Sequence, residues 1–147
     1  MTDTPEQLTG ASDALLKNVL IVEDEQNIRD TLADLFDVPT SRLATAATLE
    51  EAKGYLTRDV FDLIVTDIRL GARRDGGLQV MAAAGLLSPD AVVIVLTAFP
   101  DDDNRHASLR LGATHFLGKP TDLAIIAGHA RSAGVLTAIE PRPVDTA

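Results

Sequence analysis

Five side chains able to do chemistry stand just past the ends of apolar runs. Val19-Leu20-Ile21-Val22 stops at Glu23-Asp24, and Phe61-Asp62-Leu63-Ile64-Val65-Thr66 stops at Asp67. Ala91-Val92-Val93-Ile94-Val95-Leu96 stops at Thr97, and Thr114 to Leu117 leads on to Lys119-Pro120. Clustered carboxylates repel one another and so favour a bound cation. Mg²⁺ takes oxygen ligands and keeps some of its waters, so two or three carboxylates plus a phosphoryl oxygen suit it. A carboxylate beside such an ion can attack phosphorus and form an acyl phosphate. A hydroxyl and an ammonium nearby then stabilise the extra phosphoryl oxygens. Singly, each residue has a plainer reading: Asp24 as a helix cap, Asp67 as the start of a turn, Lys119 as a solvated loop residue. Only the joint arrangement singles them out, and it needs a fold that carries them to one edge.

The elements that must do so are legible in the hydrophobic pattern. The three strongest runs are short, rich in β-branched residues and apolar on successive positions, as strands buried on both faces are. Arg42 to Ala46 and Thr114 to Leu117 are weaker strand candidates. In Gln26 to Phe36, the residues Ile28, Leu32, Leu35 and Phe36 share one helix face. Thr48-Leu49-Glu50-Glu51 has the form of a capping box, with Leu49, Ala52 and Leu56 on the buried face behind it. Gly77 to Leu86, Asp101 to Leu111 and Thr121 to Ser132 complete the helices, with Met81-Ala82-Ala83-Ala84 read as core.

A β-α unit repeated five times is too short for an eight-fold barrel. It predicts a flavodoxin-like doubly wound α/β fold, with a five-stranded parallel sheet in the order 2-1-3-4-5 and five helices. Ligands in such a sheet bind outside the carboxyl ends of the strands, where the five residues fall. Residues 1-16 read as an N-terminal extension, 17-133 as the domain and 134-147 as a flexible tail containing Pro141 and Pro143.

Composition narrows the function. Thirteen Lys+Arg against 22 Asp+Glu leave a net charge of −9, the wrong sign for binding nucleic-acid phosphates or anionic membranes. No run approaches the roughly 18 apolar residues of a membrane span. The polar, acidic start lacks the layout of a secretory signal. The absence of cysteine rules out disulfides and a thiolate nucleophile. The expectation is a cytoplasmic domain with no direct contact to nucleic acid or membrane.

Over residues 18 to 133 the chain resembles the receiver domain of two-component response regulators. The matching motifs are Val19-Leu20-Ile21-Val22-Glu23-Asp24-Glu25, Leu63-Ile64-Val65-Thr66-Asp67-Ile68-Arg69-Leu70, Val93-Ile94-Val95-Leu96-Thr97-Ala98, Gly112-Ala113 and Phe116-Leu117-Gly118-Lys119-Pro120. The resemblance implies that Asp67 is the phosphoacceptor. It implies Mg²⁺ held directly by Asp24, by Glu23 largely through water, by Asp67 and by the backbone carbonyl of Arg69. Thr97 resembles the switch hydroxyl, and Lys119 the partner of a phosphoryl oxygen, with a cis Lys119-Pro120 peptide. Phe116 holds the aromatic switch position without a hydroxyl to donate. The resemblance also implies that Arg69 and Phe99, two residues past Asp67 and Thr97, flank the path of hydrolytic water.

The implied function is a signalling switch charged by a sensor histidine kinase or a histidine phosphotransfer protein. Its output would be altered binding of a downstream protein, or of a second copy of itself, through the face of the fourth helix, fifth strand and fifth helix. No enzymatic turnover is expected beyond self-phosphorylation and self-dephosphorylation. Too few residues follow the last helix for a DNA-binding domain, so the chain reads as a stand-alone receiver or one cut at a linker.

The chain departs from the family pattern at Gly71, commonly proline, and in a lengthened loop to Gly77 whose Arg73 and Arg74 read as solvated. One rival is a phosphorylation-independent binding module. Another, an aspartate-nucleophile phosphatase, needs a second aspartate where Arg69 stands. His106, His115 and His129 lack metal-ligand spacing and read as helix-surface or loop residues. Gly112 to Lys119 does not fit a phosphate-binding loop, since Pro120 replaces the required Ser/Thr.

Overall fold

The computed structural model describes residues 16–136. The sheet comprises β1 (Lys17–Val22), β2 (Ser41–Ala46), β3 (Leu63–Thr66), β4 (Val92–Thr97) and β5 (His115–Gly118). Between and after these strands run α1 (Gln26–Phe36), α2 (Leu49–Arg58), α3 (Gly76–Leu87), α4 (Asp102–Arg110) and α5 (Leu123–Ser132). All strand pairs are parallel and the order is β2-β1-β3-β4-β5, the predicted topology. The expected N-terminal extension and tail lie outside the described residues, apart from residue 16 and residues 134–136. Among the described residues no helix is long and apolar enough to cross a membrane.

The continuous apolar runs exist because the sheet is covered on both sides. Leu20, Val22, Ile64, Val93 and Val95 face a core closed by Leu49, Ala52 and Leu56 of α2 and by Val80, Met81 and Ala84 of α3. Val19, Ile21, Leu63, Val65, Ile94 and Leu96 face the other core, closed by Leu32 and Phe36 of α1 and by Ile126, Ala127 and Ala130 of α5. Side chains alternate along each strand, so a strand between two helical layers must be apolar at every position. The alanine stretch is divided: Ala84 is buried but Ala82 is exposed.

Register then sets the functional edge. Val22 pairs with Thr66, Thr66 with Val95, and Thr97 with Gly118. The residues that follow each strand therefore emerge side by side.

Three local details differ from the sequence reading. Thr48 Oγ1 accepts the N–H of Glu51, as a capping box requires, but Glu51 Oε1 accepts from Ala47 N–H at 2.7 Å rather than from the cap residue itself. Helix α5 starts at Leu123 and not Thr121, because Asp122 caps Ala124 N–H while Thr121 donates its hydroxyl to the Gly118 carbonyl. His115 is neither a loop nor a helix residue. It opens β5, and its ring stacks on that of His129.

Candidate functional site

The three acidic residues meet at the carboxyl edge of the sheet, with one oxygen from each of Glu23, Asp24 and Asp67 lying within 4.8 Å of the others. Glu23 and Asp67 are buried, at 2% and 6% exposure, whereas Asp24 is open to solvent. Lys119 bridges the two buried carboxylates, its Nζ 2.9 Å from Glu23 Oε1 and 2.8 Å from Asp67 Oδ2. The Lys119-Pro120 peptide is cis, as expected. Lys119 is aimed by its own backbone, whose N–H donates to the Thr97 carbonyl at 2.8 Å.

Asp67 does not start a simple turn. Its N–H donates to the Val22 carbonyl, and its Oδ1 accepts the N–H of Ile68 at 2.7 Å. Asp24 does not cap α1 either: its Oδ2 accepts the N–H of Gly71 at 2.8 Å, tying the acidic pair to the loop after β3. That loop turns on Leu70 and Arg73, which exchange backbone hydrogen bonds, with Gly71 at φ 62° between them. Arg73 pairs with Glu50 at 2.8 Å and remains half exposed, so the solvated reading holds with a partner added.

Electrostatics follow from the packing. Burial raises the Glu23 carboxyl above its ordinary value against the pull of Lys119 and the Glu25 N–H, and the nearby Asp67 charge adds to the rise. Burial alone would lower the Lys119 ammonium, but Asp67 and Glu23 outweigh it and the group is raised. Three carboxylates against one ammonium leave two negative charges, the deficit a divalent cation cancels. The donor set is all oxygen and Asp24 faces water, so the residues fit Mg²⁺ or Ca²⁺.

Thr97 is fully buried at its backbone and side chain. Its Oγ1 accepts the N–H of Phe99 at 3.1 Å and keeps its own proton to donate. Phe116 is half-buried and packs against the α2–α3 core.

One contributor went unseen in the sequence reading. Arg29 of α1 donates to the carbonyls of Glu23 and Asp24 at 2.8 and 3.3 Å, holding the end of β1. Its only advance signal is a cation one helical turn past an acidic pair. Arg69, named in the sequence reading, lays its guanidinium over the Phe99 ring, 3.7 Å from the centroid, which joins the residues two past Asp67 and two past Thr97 in one contact.

The receiver domain profile of response regulators matches residues 19–131. The alginate biosynthesis transcriptional regulatory protein AlgB of Pseudomonas aeruginosa is 34% identical over 102 residues, which is 69% of this chain and 22% of that protein. The chain thus spans less than a quarter of that relative's length. A response regulator from Burkholderia pseudomallei, solved with a phosphorylated aspartic acid, a calcium ion and citrate, aligns with a TM-score of 0.70 and 28% identity, covering 80% of this chain and 69% of that one. A CheY-like receiver domain protein from Methanospirillum hungatei aligns with a TM-score of 0.72 and 25% identity, covering 81% and 94%. Fold order, an acidic edge and sequence profile coincide over the same residues, and the chain belongs to the response regulator receiver domain family of two-component systems.

Proposed function

We propose that the chain is a phosphorylation-driven switch in which Asp67 takes a phosphoryl group from a phosphohistidine of a sensor histidine kinase or a histidine phosphotransfer protein. A carboxylate oxygen of Asp67 attacks phosphorus, the nitrogen–phosphorus bond breaks, and the electron pair leaves with the imidazole. The observation that carries this reading is the position of Asp67, between an acidic pair and the Lys119 ammonium at 2.8 Å. The phosphorylated aspartic acid and calcium ion of the Burkholderia relative support it. Asp24 would hold Mg²⁺ directly, Glu23 through water, and Asp67 and the Arg69 carbonyl would complete the protein ligands. The ion would neutralise charge on the phosphoryl oxygens. Lys119 would pair with one such oxygen, and Thr97 would donate its hydroxyl to another.

The output is a change of shape on the face of α4, β5 and α5, where Thr97 would move inward and Phe116 would follow. A phosphoryl group adds about −1.5 to −2 charges, enough to draw both the hydroxyl and the ammonium to it. That face would then bind a downstream protein or a second copy of the chain in the cytoplasm. The Arg69 guanidinium holds its protons too tightly to serve as the general acid that a second aspartate would supply, so turnover of external phosphoesters is not expected. Hydrogen exchange with Mg²⁺ and beryllofluoride, a phosphoryl mimic, should change protection across residues 97 to 125. Identical exchange with and without the mimic would refute the switch.

The metal assignment has its own test. Asp24→Ala removes an exposed oxygen ligand and frees Gly71 N–H. Mg²⁺ affinity should fall by more than the roughly 10- to 100-fold that loss of a supporting contact brings. Titration calorimetry showing unchanged affinity would exclude the role.

The Arg69–Phe99 contact bears on phosphoryl lifetime. Neither side chain can act as a base toward water, and stacked together they would screen the approach to Asp67. Phospho-Asp67 should outlast that of the double variant Arg69→Asn with Phe99→Glu, followed as decay of radiolabel. Equal or slower decay in the variant would show that the pair does not shield the site.

A further inference from the structure

The rings of His115 and His129 stack with centroids 3.6 Å apart and 18° between their planes. Neither belongs to the phosphoryl site. His115 opens the edge strand β5 and His129 lies in the last turn of α5, so the stack is a direct clasp between these two elements. Phe116 packs with the α2–α3 core, while Leu117 packs with the α1–α5 core. Strand alternation therefore puts His115 on the α5 side of the sheet.

The surroundings offer little to offset a second positive charge. On β4, Ile94 stands in register with His115, and its same-face neighbours Val92 and Leu96 are apolar. On α5, Asp122 lies seven residues before His129, about 10 Å up the axis, with an oxygen committed to capping Ala124. Arg131 lies on the other flank of α5, where it lines a cavity with Leu35 and Val38 of the α1 end. Asp102, Asp103, Arg105, His106 and Arg110 belong to α4, which packs against α3 and β5 from the far side of the sheet. Among the described residues, His129 is the only charged group that shifts His115.

We infer that the His115–His129 stack is a pH-sensitive latch, holding α5 against β5 while at least one ring is neutral and loosening it when both are protonated. Two neutral rings stack, and a protonated ring over a neutral one is still attractive. Two imidazolium rings at 3.6 Å repel, and among the described residues no carboxylate shifts His115. Burial, and then the His129 charge, lower the His115 imidazole below its ordinary range. The sign follows from linkage. A histidine whose folded value lies below the unfolded value of about 6.5 contributes its full stability above that value and loses it as pH falls through the folded one. Because α5 borders the face proposed for partner docking, acid would loosen that face without any phosphoryl group on Asp67.

Hydrogen exchange of the full chain at about pH 7.5 and about pH 5.5, corrected for intrinsic rates, tests the latch in the window where histidine titrates. Residues 125 to 133 should lose protection severalfold in the wild type between the two pH values. The change should be much smaller in His129→Gln, which cannot carry the second charge. Equal loss in both proteins, or none in the wild type, would overturn the latch. NMR titration of the wild type needs no substitution. His115 should titrate below the ordinary imidazole range, and titration at an ordinary value would overturn the latch as well.

Discussion

Asp67→Asn is expected to take up no phosphoryl group from acetyl phosphate or a phosphohistidine protein with Mg²⁺, under conditions that label the wild type once. The amide oxygen of asparagine is neutral, so it is a far weaker nucleophile and a weaker ligand for a hard cation. The substitution keeps the shape of the side chain, and the amide oxygen can still accept the Ile68 N–H that Asp67 Oδ1 now holds. Lys119 keeps Glu23 as its ion-pair partner at 2.9 Å. Removing one of three mutually repelling carboxylates also offsets the lost attraction, so the variant should fold with near-native stability. Loss of labelling would then report chemistry and not unfolding. Intact mass measurement decides the matter, with a denaturation curve as control: a variant that labels as strongly as wild type would remove Asp67 from the phosphoacceptor role.

Gly77→Ala is expected to destabilise the fold strongly, while Gly85→Ala in the same helix stabilises it. A Cβ at Gly77 would lie 1.8 Å from the Asp67 carbonyl oxygen and 2.7 Å from both the Asp67 carbonyl carbon and the Ile68 Cα. These are backbone atoms that cannot swing aside, and Gly77 N–H is already bonded to the Ile68 carbonyl at 2.7 Å. Helix α3 must therefore back away from the end of β3, breaking that bond and disturbing Asp67. Overpacking of a rigid core costs about 1–3 kcal/mol and sometimes more, and rigid backbone on both sides puts this site at about 3 kcal/mol or above. That is a large share of the roughly 5–15 kcal/mol that holds a domain folded. Gly85 is exposed in the last turn of α3 with nothing near its absent Cβ, so alanine there should contribute up to about 0.5–1 kcal/mol through chain entropy and helix propensity. Urea unfolding of the two variants tests the contrast. Equal midpoints would mean that α3 does not approach β3 as described.

Arg69 and Phe99 show how far pattern reading reaches into the site. Their types alone exclude them as general bases, which sequence can establish. Their stacking at 3.7 Å depends on the paths of two loops that no local periodicity encodes. Asp24 makes the same point: its plainer role as a helix cap and its role at the acidic edge are equally compatible with the sequence. The hydrogen bond to Gly71, 47 residues away, decides between them.

The sequence by itself determined the β-α alternation, the doubly wound sheet and the identity of Glu23, Asp24, Asp67, Thr97 and Lys119 as the residues at its carboxyl edge. It could do so because strand burial and helix amphipathicity leave periodic marks within a few residues, and because parallel strands joined by right-handed crossovers leave few ways to order five units. Tertiary structure alone decided which of those groups touch: Lys119 between Glu23 and Asp67, Asp24 on Gly71, Arg69 over Phe99, and His115 against His129. It also decided that Gly77 is required by the Asp67 carbonyl and not by a turn. Each of these contacts joins residues on different elements or loops, so it depends on strand register, helix docking and loop course, and packing settles these only once the whole sheet is assembled.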